Sequence, residues 1–266
     1  MSLKVTVLGC GTSGGVPRIG GKWGACDPAE RKNIRRRCSI LVERDSGDGR
    51  TTMLVDTSPD LRQQLLDAGV SWLDGVLYTH DHADHTHGID DLRQVAYNGQ
   101  RRVEVYFDNT TGEILRRRFD YCFDQPPGSD YPPVLTGHEI APATKVRIEG
   151  AGGAIEALPF RQVHGSSTTL GFRFGGLAYS PDMNDLPEES LAALEDLDVW
   201  VIDALRHTPH PSHLTVEQAL SWIARVKPRR AVLTHMHVDL DYAALSRALP
   251  EGVEPAYDGM VLEAED

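Results

Sequence analysis

The chain has 266 residues, 40% hydrophobic and 25% charged, with a formal net charge of −12 at pH 7. This composition is typical of a globular protein, and no apolar run approaches the length of a membrane span. Proteins that bind long nucleic acids by counterion release are normally basic, so the acidic balance favours a small substrate. The N-terminus lacks a signal-peptide pattern and the cysteines form no CxxC pair, so we expect a cytoplasmic protein with free thiols.

The first half of the chain alternates predicted strands with helices. Strands are predicted over residues 4–8, 38–43, 51–56, 76–78 and 103–107, with a glycine-rich loop over 9–21 and a hairpin turn at 45–49. A helix over 59–68 is predicted with Ser58 as its N-cap, Pro59 at its first position and Gly69 as its stop. Further helices are predicted from residue 87 and over 111–123, followed by a loop over 124–133 that is a candidate lid.

The second half also alternates predicted strands with helices, without repeating the sequence of the first half. Strands are predicted over residues 154–158, 170–174, 177–179, 198–203 and 230–234, with Gly175 and Gly176 as a two-residue hairpin turn. Helices are predicted over 187–194, 215–226 and 242–249, the second with Thr215 as its N-cap and Glu217 nearby. The pattern by itself indicates a mixed α/β protein.

The strongest chemical signal follows the strand at residues 76–78, which ends in His80, His82, Asp84, His85 and His87. Imidazole and carboxylate ligands suit Zn²⁺ and, with more oxygen, Mn²⁺ or Fe²⁺. His80 and His82 project to the same side of an extended segment, whereas Asp84 and His85 can face a second position. One stretch can therefore begin two adjacent metal sites. Later candidate ligands that follow predicted strands are His164, Asp182 and His235.

Residues 80–85, His-Asp-His-Ala-Asp-His, resemble the HxHxDH signature of the metallo-β-lactamase superfamily. The chain resembles that superfamily from Val5 to Met260, most closely the PhnP-type phosphodiesterases and then the transfer-RNA 3′-processing endonucleases. The closer resemblance rests on the sequence Leu-Gly-Cys-Gly-Thr-Ser-Gly-Gly-Val-Pro at 8–17, on Leu-Val-Asp-Thr at 54–57, and on the spacing of the later histidines. It implies one α/β (α+β) domain over residues 1–266 with the αββα sandwich fold.

The resemblance also implies two divalent metal ions per chain, with Zn²⁺ as the first choice because imidazoles dominate the ligands, and Mn²⁺ as the second. The implied reaction is attack of a metal-bridging hydroxide on a phosphodiester, with Asp84 orienting the hydroxide. His213 is expected to protonate the leaving oxygen and to contact the substrate, and His237 to be a second substrate contact. The implied ligands are His80, His82 and His164 for one ion, Asp84, His85 and His235 for the other, and Asp182 as the bridge.

Four features lie outside the implied catalytic site. PhnP-type enzymes usually carry a structural zinc bound by clustered cysteines, but only Cys26 remains here, so we expect no such site and expect packing around Trp23 to replace it. Asp56 matches a structural carboxylate that orients the site loops, and is not expected to bind a metal. The basic stretch over residues 31–37 is either a solvated loop or a surface that faces phosphate or a partner. His207 and His210 have no assigned role.

The sequence therefore predicts a phosphodiesterase for small cyclic or nucleotide phosphodiesters. A transfer-RNA 3′ endonuclease is one alternative, but the RNA-binding arm of that family commonly lies between the positions of His164 and Asp182, where the predicted strands leave no room. A thioester, lactone or β-lactam hydrolase and a non-catalytic nucleotide-binding protein are the others. We expect neither a membrane nor a long nucleic acid as partner, and a homodimer is left open.

Overall fold

The structure is a computed structural model, and it describes residues 2–265. Its strands and helices alternate along the chain much as the sequence predicts. The strands of the first half are β1 (Ser2–Gly9), β2 (Ser39–Ser46), β3 (Gly49–Val55), β4 (Gly75–Leu77), β5 (Val103–Phe107), β6 (Leu135–Glu139) and β7 (Val146–Ile148). Those of the second half are β8 (Ile155–His164), β9 (Ser167–Phe174), β10 (Leu177–Ser180), β11 (Val199–Asp203), β12 (Arg230–Thr234), β13 (Val253–Pro255) and β14 (Val261–Glu265).

Helices connect and flank these strands. The α-helices are α1 (Leu61–Ala68), α2 (Ala83–Thr86), α3 (Leu92–Gly99), α4 (Asn109–Arg118), α5 (Asp120–Phe123), α6 (Val216–Val226) and α7 (Tyr242–Ala248). Short 3₁₀ helices span Arg31–Asn33, Ile89–Asp91 and Glu188–Leu194. No helix within residues 2–265 is long and apolar enough to cross a membrane.

The strands form two seven-stranded sheets, in the orders β14-β1-β2-β3-β4-β5-β6 and β13-β12-β11-β10-β9-β8-β7. Successive side chains along a strand point to opposite faces of its sheet, so one face can pack on the other sheet while the opposite face packs on helices. In β3, Met53 and Val55 join the core shared with the second sheet, whereas Leu54 packs in a separate core with Leu61 and Leu65 of α1. Helices thus cover the outer faces, and the predicted αββα sandwich is confirmed.

Several predicted boundaries move for local reasons. The first predicted helix begins at Leu61 instead of residue 59, because the Ser58 hydroxyl accepts a hydrogen bond from the Asp60 amide at 3.1 Å and holds a turn there. The helix predicted over 111–123 is two helices, broken at Phe119, whose ring packs edge-on against His87 at 5.6 Å. The segment after Pro187 is a 3₁₀ helix. Pattern analysis missed β6, β7, β13 and β14.

The topology gathers the candidate ligands at one edge of the sandwich. Strands β3, β4 and β5 are parallel, and so are β10, β11 and β12, so the carboxyl ends within each set share an edge. Strand β8 runs ten residues and ends at His164, six residues beyond the predicted end, which brings that imidazole to the same edge. The loops that follow these strands therefore contain the candidate ligands, and the packed cores behind the loops hold those ligands in position.

Candidate metal centre

Asp182 lies at the middle of the cluster, with its two carboxylate oxygens facing two different groups of imidazoles. Oδ2 is 3.8 Å from Nε2 of His80 and 3.9 Å from Nε2 of His164. Oδ1 is 3.0 Å from Nε2 of His85 and 3.5 Å from Nε2 of His235. A carboxylate in this position can bridge two cations, one bound to each oxygen.

The ligands predicted from the sequence form two groups, in each of which all ligating atoms lie within 4.8 Å of one another, and a further set of Asp203, His213 and His235 meets the same distance and shares His235 with the second group. The first group is His80, His82, His164 and Asp182, and the second is Asp84, His85, Asp182 and His235. This is the partition expected from the sequence. His82 is the exposed member, whereas the other side chains are buried or nearly so, so the first group opens toward solvent on the side of His82.

In three of the histidines, a hydrogen bond at Nδ1 leaves Nε2 as the free ring nitrogen. Nδ1 of His85 lies 2.7 Å from Oδ2 of Asp56, and a carboxylate only accepts, so this ring donates there and keeps its lone pair on Nε2. Thr79 gives its one hydroxyl proton to Asp56 at 2.8 Å, and therefore accepts from Nδ1 of His80 at 2.9 Å. Asp56 thus orients the site loop from behind, as the sequence analysis expected of it.

His164 follows the same logic with a backbone partner. Its Nδ1 lies 2.7 Å from the carbonyl oxygen of Ser212, which only accepts, so the lone pair is again on Nε2. Outer partners of this kind are what orient metal-ligating histidines. No sequence signal pointed to Ser212. The role of Thr79 was also missed, although its position between β4 and the motif could have suggested it.

Unpaired buried atoms test whether the cluster fits a cation. Nε2 of His80, His85 and His235 and Oδ1 of Asp182 are buried and have no hydrogen-bond partner among the described residues. A buried polar atom without a partner is costly, and native structures contain few of them. Nitrogen lone pairs and carboxylate oxygens converging on two points are the donor set of divalent metal sites, so the residues present fit two metal ions.

The charges in the cluster lead to the same conclusion. Burial lowers the pKa of His80 well below its ordinary value and that of His164 to about 4, so both imidazoles are neutral, which is the ligating form. Burial also acts on His85, but the carboxylates of Asp182 and Asp84 outweigh it and raise the pKa of His85. The negative charges that raise the pKa of His85 would also attract a metal cation, which would neutralise them.

His213 lies beside the cluster and is held from behind by a carboxylate. Its Nδ1 is 2.7 Å from Oδ2 of Asp203, its Nε2 is 3.8 Å from Oδ2 of Asp182, and its ring stacks on His235 with centroids 4.5 Å apart. Oδ2 of Asp203 also accepts the amide of Met183 at 3.0 Å, next to the central carboxylate. Sequence reasoning missed Asp203, although it ends β11 as a polar residue after an apolar strand.

His237 is engaged by protein groups on both ring nitrogens. Nε2 contacts the Arg18 guanidinium, and Nδ1 is 2.9 Å from Oδ2 of Asp239. A guanidinium only donates, so Nε2 accepts from Arg18 and the ring proton is on the Asp239 side. In this arrangement any anion at His237 would be met by Arg18 as well, and the expected substrate contact of His237 stays a prediction.

The basic stretch over residues 31–37 is tied into the protein. Arg35 is only 1% exposed, and three neighbouring cations have protein partners. This arrangement favours a structural role over a surface that faces phosphate. The partners are Asp67 for Arg36, Asp60 for Arg37 with Nε–Oδ2 at 2.8 Å, and the Tyr242 hydroxyl for Lys32 at 3.0 Å.

Cys26 sits in a small apolar cluster with Val16 and Val238, against which Trp23 packs, so the predicted packing around Trp23 is confirmed. The thiol lies 3.4 Å from the carbonyl oxygen of Val238 and is buried, like the other three cysteines, all of which are unpaired. Within residues 2–265, no group of three or more ligating side chains includes Cys26. The absence of a cysteine-bound metal stays a prediction.

Comparison with known proteins gives the family. Residues 51–236 match the beta-lactamase superfamily domain. The crystal structure of a diphosphatase from the PhnP family superposes with a TM-score of 0.88 at 34% identity, over 99% of this chain and 97% of that one. Zn²⁺-bound PqqB from Methylobacterium extorquens superposes with a TM-score of 0.72 at 22% identity, over 97% of this chain and 99% of that one, which shows a shared fold.

A curated relative carries a different name. The octanoyltransferase of Porphyromonas gingivalis (strain ATCC BAA-308 / W83) is 36% identical over 263 residues, which is 97% of this chain and 51% of that protein. The chain thus spans about half the length of the curated relatives it matches. The matched domain and the similarity to the PhnP-family structure decide the family but not the substrate. The chain belongs to the metallo-β-lactamase superfamily, and within it to the PhnP family.

Proposed function

We propose that this protein is a metal-dependent hydrolase, and specifically a dinuclear phosphodiesterase that acts on small cyclic or nucleotide phosphodiesters. The observation that carries the proposal is the position of Asp182, whose two oxygens face two groups of ligands while His213 lies 3.8 Å from one of those oxygens. Two cation sites with a proton donor beside them suit a reaction in which both the attacking and the leaving oxygen must be stabilised.

The proposed ligands are His80, His82 and His164 for one ion, Asp84, His85 and His235 for the other, with Asp182 shared. Two bound ions, Zn²⁺ by preference and Mn²⁺ as the alternative, would lower the pKa of a shared water and neutralise charge on a phosphoryl oxygen. Asp56, Thr79 and the Ser212 carbonyl hold the imidazoles in the tautomer that ligates. These residues fix the directions of the ligating Nε2 lone pairs before any substrate binds.

His213 and Asp203 supply the proton chemistry of the chain itself. The Asp203 carboxylate orients the ring through Nδ1, so Nε2 is the atom that faces the cluster. A proton on Nε2 can pass to a leaving alkoxide, a transfer that typically contributes about 10²–10⁴-fold. Asp84, a proposed ligand in the second group, would also accept a hydrogen bond from the attacking hydroxide and orient it.

Three observations support a small phosphorus ester over a long nucleic acid. β8 and β9 are joined by a tight turn and β10 follows directly, so the segment between His164 and Asp182 carries no arm. The net charge of −12 disfavours extended polyanions. The PhnP-family relative is a diphosphatase, which is also a hydrolase of phosphorus–oxygen bonds. The proposed partner is therefore a small phosphodiester or nucleotide. We also propose that the protein is cytoplasmic.

A panel of three substrates tests the proposal. The metal-loaded protein is assayed with bis-p-nitrophenyl phosphate, with 2′,3′-cyclic nucleotides, and with a precursor transfer RNA. Turnover of the first two without cleavage of the third is expected. Efficient cleavage of the precursor at its 3′ end would replace the proposal with the endonuclease alternative.

A thioester hydrolase is the second candidate, and one observation favours it. A relative that is 36% identical over 97% of this chain is named octanoyltransferase, and a thioester is an activated acyl compound from which an octanoyl group can be released. An octanoyl thioester is therefore added to the panel. Hydrolysis of that thioester with a higher kcat/KM than any phosphodiester in the panel would favour this candidate, and the reverse order would favour the phosphodiesterase.

A further inference from the structure

Arg35 is among the largest fully buried side chains of the described residues, at 1% exposure, and its guanidinium pairs with no carboxylate there. Nη2 donates to the carbonyl oxygen of Leu240 at 2.7 Å and to Oδ1 of Asn33 at 3.2 Å. Nη1 donates to the carbonyl oxygen of His237 at 3.3 Å and lies 3.9 Å from the Cys26 sulfur. Its Nε is buried without a hydrogen-bond partner among the described residues. A buried cation that meets only neutral acceptors is costly, which points to a role that offsets the cost.

The backbone of Arg35 is anchored in the N-terminal loop. Its amide donates to the carbonyl oxygen of Val16 at 2.9 Å, and the Val16 amide donates back at 2.8 Å. The carbonyl groups that the guanidinium binds belong to residues 237 and 240, in the segment that follows His235. Arg35 therefore connects the glycine-rich loop to the turn after β12.

His235 depends on this turn more than the other imidazoles depend on their loops. Nδ1 of His80, His85 and His164 is held by a hydrogen bond, whereas neither ring nitrogen of His235 has a hydrogen-bond partner among the described residues. Its backbone is left-handed, with φ +56°, which non-glycine residues rarely adopt. The direction of the His235 ring is thus set by backbone geometry and by stacking on His213.

We propose that Arg35 is a positioning residue, which locks the segment over residues 236–240 and so sets the direction of the His235 imidazole. Only the group of Asp84, His85, Asp182 and His235 depends on that direction. Arg35 therefore tunes the affinity of this second metal site and leaves the first site unaffected. The inference rests on the two-site arrangement proposed above.

The test compares Arg35→Met, which keeps the length and removes the charge, with Arg35→Lys, which keeps the charge but loses the fork of donors. Arg36→Met is the matched control, because it removes a cation one residue away that pairs with the surface group Asp67. Stepwise Zn²⁺ affinities are measured by competition with a chromophoric chelator. Hydrogen exchange of residues 236–240 is measured on the metal-free proteins.

Arg35→Met is expected to weaken the binding of one of the two ions by about 10–100-fold, the range found for outer partners of ligands, and to leave the other unchanged. Exchange of residues 236–240 should accelerate in the metal-free variant, with an intermediate effect in Arg35→Lys and none in Arg36→Met. If Arg35→Met does not fold, the intermediate effect of Arg35→Lys carries the test. Lowered thermal stability with two unchanged affinities would overturn the inference.

His235→Ala separates this inference from the proposed function. Loss of one ion in His235→Ala, with both ions retained at full affinity in Arg35→Met and Arg35→Lys, would leave the two-site proposal standing and overturn the role of Arg35. Retention of both ions in His235→Ala would instead remove the ligand assignment on which both proposals depend.

Discussion

His213 is fixed between two carboxylates, with Nδ1 2.7 Å from Oδ2 of Asp203 and Nε2 3.8 Å from Oδ2 of Asp182. Burial raises the pKa of Asp203 well above its ordinary value, and burial lowers the pKa of His213. Both shifts bring the proton affinities of the two groups closer together. The pair is therefore suited to hold a proton and to release it on the side of the metal cluster.

The leaving group should decide how much His213 matters. Ribose hydroxyls are poor leaving groups that need a proton, whereas p-nitrophenolate needs little help. His213→Ala should lower kcat/KM for a 2′,3′-cyclic nucleotide by about 10²–10⁴-fold, and for bis-p-nitrophenyl phosphate by far less. Elemental analysis must show that both metals are still bound. Equal losses on the two substrates would mean that His213 binds phosphate without delivering a proton.

Asp203 should act through His213 and not independently of it. Asp203→Asn keeps the shape but allows the amide to donate toward Nδ1, which favours the wrong tautomer of the ring. The loss should show the same dependence on the leaving group as that of His213→Ala. In the double variant the two losses should not add, because they remove one function. Additive losses would show that Asp203 mainly supports the adjacent Met183 segment.

We expect one metal ion near each carboxylate oxygen of Asp182, so that substitutions of ligands can remove the two ions separately. Two divalent ions per chain are expected by elemental analysis and anomalous scattering. His82→Ala should release the ion of the first proposed site and His235→Ala that of the second, since of these two sites His82 belongs only to the first and His235 only to the second. Asp182→Asn should weaken both, because each site loses part of its anionic bridge. A fully active preparation with a single ion would exclude the dinuclear proposal.

Asp258 should make the stability of the protein depend on pH. Burial raises the pKa of Asp258 to about 7, although the carboxylate accepts the Cys10 and Arg36 amides at 3.2 and 2.8 Å. Between pH of about 4 and 7 the folded state then binds more protons than the unfolded state, so the unfolding free energy contributed by this group falls as pH rises.

Asp258→Asn does not titrate, and comparison with the parent protein isolates the effect. The destabilisation that this substitution causes should be smaller at pH 8 than at pH 5, by on the order of 1–3 kcal/mol, in urea unfolding of the two proteins. The carboxyl carbon resonance of Asp258 should titrate near neutrality. A difference in unfolding free energy that is constant with pH would contradict the raised pKa.

Local physics explains which elements could be predicted. The strands β5 and β12 coincide with the predicted ranges, because short apolar runs of β-forming residues bounded by polar residues leave few alternatives. Thr215 caps α6 as predicted, and Gln218 is the reciprocal partner of its capping box. That choice follows from the third position of the helix, which is a rule that the sequence already contained.

The sequence by itself determined the ligand types, the two-site pattern of the His80–His85 motif and a mixed α/β class, because these follow from residue chemistry and from the periods of strands and helices. The αββα sandwich was expected only from the resemblance to the superfamily. Tertiary structure alone decided the rest. The contacts of Asp203 with His213, of Ser212 with His164 and of Arg35 with Leu240 join residues up to 205 positions apart. Such contacts depend on how two sheets stack and how loops return to one edge, which no local spacing encodes.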